Sequence, residues 1–198
     1  MAKAKTRTQT QIRKEEILNQ SARLFRKKGY SATTMRMIAA AVNIEAASLY
    51  NHISSKQAIL REILLPMARR FSEGMEAILQ QQKSPLAQLE ALVDLHIQLT
   101  LQHPDPISLI TGEWVHLEEP ALTQYLQLRN AYESRFKAIL ETGIQNGQFA
   151  PLHVDTALFS LLSTLHWLYS WISRHKELNV DTIRSEIRQS LLFGLVRR

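Results

Sequence analysis

Apolar residues recur at three- and four-residue spacing along most of the chain, and no stretch alternates convincingly with the period of a strand. The pattern predicts a first helix over Thr10–Lys28, with Ile12, Ile17, Leu18, Ala22, Leu24 and Phe25 as its apolar stripe and Gly29 ending it. Thr33 or Thr34 then caps a second helix that buries Ile38 and offers the small surface of Ala39 and Ala40. Val42-Asn43-Ile44 reads as a tight turn, because Asn tolerates the left-handed backbone that a reversal needs. A short third helix over Glu45–Asn51 points Leu49 inward and leaves Glu45, Ala46, Ser48, Asn51 and His52 free to face outward.

Ser54 with Gln57 three residues on has the capping-box pattern, and a long fourth helix is expected from about Ser55 to Gln80. Pro66 lies well inside it and either marks a helix boundary or, the reading preferred here, kinks the helix. Ser84-Pro85 opens a fifth helix to about Gln102, Pro104 and Pro106 break the chain, and a shorter helix is expected over Ile107–His116. Glu118-Glu119-Pro120 opens a long one to about Asn146, with Gly147 as its C-cap. Asp155 is expected to cap an eighth helix to about His175, and Asn179 or Asp181 a ninth ending near Val196. The predicted fold is all-α with about nine helices, a three-helix domain over residues 1–54 and a larger helical domain over 55–198.

Charge sharpens this picture. The net charge of +6 is unevenly spread: residues 1–56 hold eleven Lys and Arg against three Asp and Glu, whereas residues 57–198 hold thirteen against fifteen. The whole basic excess therefore sits on the segment with two short helices joined by a turn. A helix-turn-helix beside an electrostatic footprint is what DNA binding needs: phosphates attract the cations, and the second helix enters the major groove. Residues 1–9, with Lys3, Lys5 and Arg7, read as a polar arm that either contacts DNA or is merely solvated.

Lys14–Leu60 resembles the N-terminal domain of the tetracycline-repressor (TetR) family of one-component regulators. The resemblance is carried by Ile17, Ala22, Leu24-Phe25, Gly29-Tyr30, Thr33-Thr34, Ile38-Ala39, Ile44, Leu49-Tyr50, His52 and Ser55-Lys56. It implies a repressor that binds a pseudo-palindromic double-stranded DNA operator as a homodimer. It also implies phosphate contacts from Tyr50, His52 and Lys56. The DNA-facing candidates are Thr33, Thr34, Arg36, Glu45, Ala46, Ser48, Tyr50, Asn51, His52 and Lys56. The family commonly starts its recognition helix with Ser-Lys/Pro-Gly/Ala-Thr. Here Glu45-Ala46-Ala47-Ser48 stands instead, so Glu45 either accepts from a cytosine amino group or simply caps the helix, and Ala46 can touch a thymine methyl.

The resemblance also implies a ligand domain and a dimer interface in the last two helices. His96, Trp114, Tyr125, Arg129, Tyr132, Phe136 and His166 are the ligand-binding candidates, and a guanidinium beside apolar side chains suits a carboxylate or phosphate on a greasy tail. The alternative is an ordinary core, with Arg129 paired to Glu133 at the surface. The run Arg129–Glu133, followed by Gly143, Gly147 and Phe149, resembles members that respond to acyl-CoA or lipid-like acids, so a small hydrophobic effector, a fatty acid or acyl-CoA, is expected. Leu158, Leu161, Leu162, Leu165, Leu168, Ile172, Ile183, Ile187, Leu191, Leu192 and Leu195 exceed the needs of one packed face, and they are expected to form the isologous interface. A DNA-binding protein without ligand response is the second reading. An enzyme is not expected, since no nucleophile–base pair, phosphate loop or metal signature occurs, and neither a metal nor a cofactor is expected. The absence of cysteine, of a secretory signal and of a membrane-length apolar run gives the expectation of a cytoplasmic protein.

Overall fold

A computed structural model describes residues 8–175, 177 and 179–192; the arm with Lys3, Lys5 and Arg7, Leu195 and the expected helix end near Val196 lie outside the described residues. Among the described residues the chain forms nine α-helices and one 3-10 turn. Helices α1 (Gln9–Lys28), α2 (Met35–Ala41) and α3 (Ala46–Tyr50) form the N-terminal unit, and α4 (Lys56–Gln80) leads out of it. Then come α5 (Pro85–Gln102), α6 (Pro104–Ile110), the 3-10 turn Glu113–His116, α7 (Ala121–Gln145), α8 (Val154–Arg174) and α9 (Val180–Leu192).

The helix ends follow local chemistry. Thr8 and Gln11 make a reciprocal capping box at α1, and Gly29 ends that helix at φ 83°, a conformation in which an L side chain would be strained. Thr34, not Thr33, caps α2. Asn43 takes the left-handed backbone at φ 54° in the turn between α2 and α3. The expected capping box at α4 is corrected: Ser55 is the cap, accepting from the Ala58 amide, and Gln57 reaches away to the His116 carbonyl at 2.6 Å. The helix expected over Ile107–His116 divides in two, because Pro104 serves as a first helical residue and so opens α6 early. Asp155 does not cap α8; His153 precedes it, and Asp155 pairs with Lys137 of α7. Helix α4 continues through Pro66.

One buried cluster crosses the expected boundary between residues 54 and 55. It joins Ile17, Phe25, Ile38 and Leu49 of the N-terminal unit to Ile59, Leu60 and Leu64 of α4, then to Leu109, Leu117 and Tyr125. A second cluster packs Met75, Leu89, Phe136, Phe149 and the inner face of α8. Gly143 is required there, since a Cβ would lie 2.2 Å from the Phe149 ring. The first cluster places the N-terminal unit in direct packing contact with α6 and α7.

Candidate DNA-binding surface and ligand cavity

Helices α2 and α3 present a small, mixed surface. Arg36, Glu45, Ala47, Tyr50 and Asn51 are exposed, and Ser48 is half-buried. Tyr50 is 53% exposed, too open for a core residue. Glu45 precedes α3 without making a side-chain cap, so its carboxylate is not committed to the helix end. Ala46 turns toward the core, and Ala47 takes the outward place on the recognition helix. The expectation for Ala46 is corrected by one position: with Leu49 fixed inward, a residue three before it also turns in, whereas one two before it turns out.

Three expected DNA contacts are spent or screened inside the protein. Thr33 is fully buried, and its hydroxyl donates to the Gly29 carbonyl at 2.9 Å. His52 is half-buried, with its Nδ1 shielded. The Lys56 ammonium donates to the carbonyls of Tyr30 (3.0 Å), Thr33 (2.9 Å) and Ser31 (3.4 Å), and lies 4.2 Å from the centre of the Tyr30 ring. An ammonium has three N–H groups, so none of them is left for phosphate. Lys56 holds the α1–α2 loop. Arg13 acts similarly, donating to the Val42 carbonyl at the end of α2 at 2.7 Å. Lys27, Lys28 and Arg36 are exposed and unengaged among the described residues, so they are the available cations of this segment.

The cavity lies between α4, α5, α6, α7 and α8 and has a volume of about 170 Å³. Six of the seven expected ligand residues line it: His96, Trp114, Tyr125, Arg129, Tyr132 and His166. Phe136 does not; it is fully buried in the second cluster. Phe71, Leu128 and Leu162 complete much of the apolar wall. None of these three carries a polar atom, so the sequence offered no reason to prefer them over any core residue.

The lining divides by burial. At the half-exposed end the Arg129 guanidinium lies 4.8 Å over the Trp114 ring, and Trp114 stacks on Tyr125 at 5.8 Å. Arg129 Nε is 3.6 Å from the Glu133 carboxylate, without a hydrogen bond to it. The surface pairing weighed as the alternative is thus present but loose. The Tyr125 hydroxyl donates to the Ile110 carbonyl at 2.8 Å, and burial pushes its pKa up to about 12. At the buried end, His96 Nε2 and the Tyr132 hydroxyl share a hydrogen bond of 2.8 Å, with Phe71 against both rings. Burial, then the neighbouring His166, lowers the His96 pKa to about 3; burial raises that of Tyr132 and lowers that of His166. The buried end is therefore polar and uncharged near neutral pH.

Thr111 and His166 also line a larger, more polar cleft of about 420 Å³, shared with Arg26, Ser163, Trp167 and Tyr169. The inner cavity and outer cleft therefore adjoin.

Two family models match the chain. Residues 17–63 match the bacterial regulatory proteins of the tetR family, and residues 82–195 match a tetracyclin repressor-like C-terminal domain. The chain belongs to the TetR family. Among curated relatives, it is 29% identical to the HTH-type transcriptional repressor KstR2 of Rhodococcus jostii, over 92% of this chain and 91% of that protein. It superposes on the ketosteroid transcriptional regulator KstR2 of Mycobacterium tuberculosis with a TM-score of 0.87 at 23% identity, covering 94% and 96% of the two chains. It also superposes on AibR in complex with isovaleryl coenzyme A and operator DNA, with a TM-score of 0.78 at 26% identity over 92% and 99%.

This TetR-family protein is thus a transcriptional regulator and not an enzyme, and no helix among its described residues is long and apolar enough to cross a membrane. Regulators of the family bind operator DNA as dimers. Of the apolar set expected at the dimer interface, Ile172, Ile187 and Leu191 are half-buried and Leu195 lies outside the described residues. Leu158, Leu161, Leu162, Leu165, Leu168, Ile183 and Leu192 are buried within the chain's own core. The large apolar side chains that α8 leaves exposed are Phe159 (71%), Trp167 (67%) and Trp171.

Proposed function

We propose that this protein is a homodimeric, ligand-responsive repressor that binds a pseudo-palindromic operator and releases it when a compact hydrophobic acyl group, carried by coenzyme A or as the free acid, fills the cavity. The observation that carries the reading is the cavity itself: apolar walls, a guanidinium at one end and a volume of about 170 Å³. A cavity of roughly 150 Å³ lined by apolar side chains holds benzene. Long fatty chains exceed that scale, whereas a short, branched or single-ring acyl group matches it. The adjoining cleft of about 420 Å³ offers room for a polar carrier outside the acyl site. That AibR was crystallised with a short branched acyl thioester and operator DNA supports the same class.

The DNA face of the proposal is Thr34, Arg36, Glu45, Ala47, Ser48, Tyr50 and Asn51, with Lys27 and Lys28 as nearby phosphate partners. Paired across a two-fold axis through the exposed aromatic face of α8, two such units would read two half-sites. A short path links cavity to DNA face. Trp114 lines the cavity, and two residues on, the His116 ring stacks on Tyr30 at 5.1 Å while its carbonyl accepts from Gln57. Tyr30 in turn carries Lys56 on its ring and carbonyl. A ligand that shifts Trp114 would shift the loop that positions α2, and differential binding to the two arrangements is the coupling.

The test is to select DNA from a random pool and then titrate the complex with isovaleryl-coenzyme A. A pseudo-palindromic consensus, released by the thioester, is expected. A consensus without symmetry would remove the dimeric reading, and failure of all short acyl thioesters and acids to release the DNA would remove the effector class.

A further inference from the structure

The His96–Tyr132 pair leaves one donor over. A neutral imidazole has one N–H and one bare nitrogen, and a phenol has one O–H. If His96 Nε2 carries the proton and donates to the Tyr132 oxygen, the Tyr132 O–H needs an acceptor. If Tyr132 donates to Nε2, then His96 Nδ1 carries the proton and needs one. Among the described residues neither group has a second hydrogen-bond partner. His96 and Tyr132 are both buried, and both line the cavity. The surplus donor therefore has no protein acceptor in either tautomer, and cavity space lies beside it.

From this we infer that the cavity recognises an acyl group bearing an acceptor oxygen, a ketone, hydroxyl or ether, on the part that enters deepest, and that the His96–Tyr132 pair is its specificity determinant. The inference rests on the proposed acyl effector and narrows it from any compact hydrocarbon to an oxygenated one. The neighbouring groups agree. His166, 6.3 Å from His96 between ring centroids, makes no hydrogen bond of its own among the described residues. It is kept neutral, as is His96, so nothing at this end repels an uncharged oxygen or draws in a second carboxylate. Phe71 and Leu162 supply the apolar sides against which a ring or branched carbon skeleton would pack. A pure hydrocarbon would strand the donor without water, whereas an oxygen would satisfy it. Sites built to pair a buried polar group reject analogues that lack the partner.

The test uses two probes of nearly equal size, cyclohexanecarboxyl-coenzyme A and 4-oxocyclohexanecarboxyl-coenzyme A, with affinity for the full-length protein measured by calorimetry. The oxo compound is expected to bind roughly ten- to a hundredfold more tightly. Replacing both partners together, His96→Leu with Tyr132→Phe, removes donor and acceptor at once and is expected to abolish or reverse that preference. If the two thioesters bind the unaltered protein equally, solvent already satisfies the donor and this inference falls, while the acyl-effector reading stands. If neither binds, this inference falls, and the acyl-effector reading falls with it only if isovaleryl-coenzyme A and the other short acyl thioesters and acids also fail to release the operator. Should the double variant not fold, the comparison on the unaltered protein still decides the matter, because it needs no substitution.

Discussion

Lys56 turns its charge inward, onto the loop between α1 and α2, rather than outward to solvent. Its three N–H groups are bound to carbonyls of the α1–α2 loop, and its charge lies over Tyr30. Lys56→Ala is expected to destabilise the protein by about 2 kcal/mol, the scale for hydrogen bonds to a charged group. It should weaken operator affinity while leaving the salt slope unchanged, because no phosphate contact is lost. A slope reduced by about one would return Lys56 to the phosphate-binding set. Glu45 is the opposite case. With no capping hydrogen bond to lose, Glu45→Ala should alter stability by less than about 0.5 kcal/mol and change the consensus selected from a random pool. An unchanged consensus would end its readout role. His96 carries a pH signature. Its folded pKa of about 3 lies below the ordinary 6.5, so the unfolded chain takes up a proton that the folded one refuses. Stability should therefore be unaffected by His96 above pH 6.5. It should fall as pH drops from 6.5 toward 3, at up to about 1.4 kcal/mol per pH unit. Denaturant titrations at pH 7 and pH 5 should show a smaller difference for His96→Leu with Tyr132→Phe than for the parent.

Among the elements, α8 is the one whose two faces were hardest to separate by reading. Its leucines were legible as apolar but not as inward, since a helix apolar on both faces gives no single stripe. The structure spends the leucines on the core and leaves Phe159 and Trp167 outside. Phe159→Glu with Trp167→Glu is expected to give a folded monomer by sedimentation, whereas Leu165→Glu should unfold the chain. Dimer mass retained by the first variant would place the interface elsewhere. The helix-turn-helix was readable because its signals are local: an N-cap, an Asn turn and an inward Leu49 lie within seventeen residues. The α4 cap was misread by one position because Ser54 and Ser55 are equivalent in sequence, and only the distant His116 carbonyl decides what Gln57 does. Long-range partners of this kind leave no periodic trace. That same contact belongs to the 3-10 turn, so Gln57→Ala is expected to keep operator affinity while raising the ligand concentration needed for release about five- to tenfold.

At the scale of the whole molecule, the cores of α2 and α3 and the Trp114–Tyr125 end of the cavity share one continuous packed cluster. The seven expected ligand residues are spaced along four segments, and six of them converge on one cavity. Their enclosed volume was not legible, since it depends on how α4 to α8 cross and on Phe71, Leu128 and Leu162, which look like any core residue. That volume is what separates a compact acyl effector from a long fatty one. Each added CH₂ contributes about 0.8 kcal/mol while it is buried, and nothing once the cavity is full. The decisive measurement follows release of fluorescent operator DNA across acyl-coenzyme A thioesters from acetyl through isovaleryl and hexanoyl to palmitoyl. The potency of release is predicted to rise over the short members and then fall before the long ones. A steady rise to palmitoyl, or no release by any member, would contradict the account.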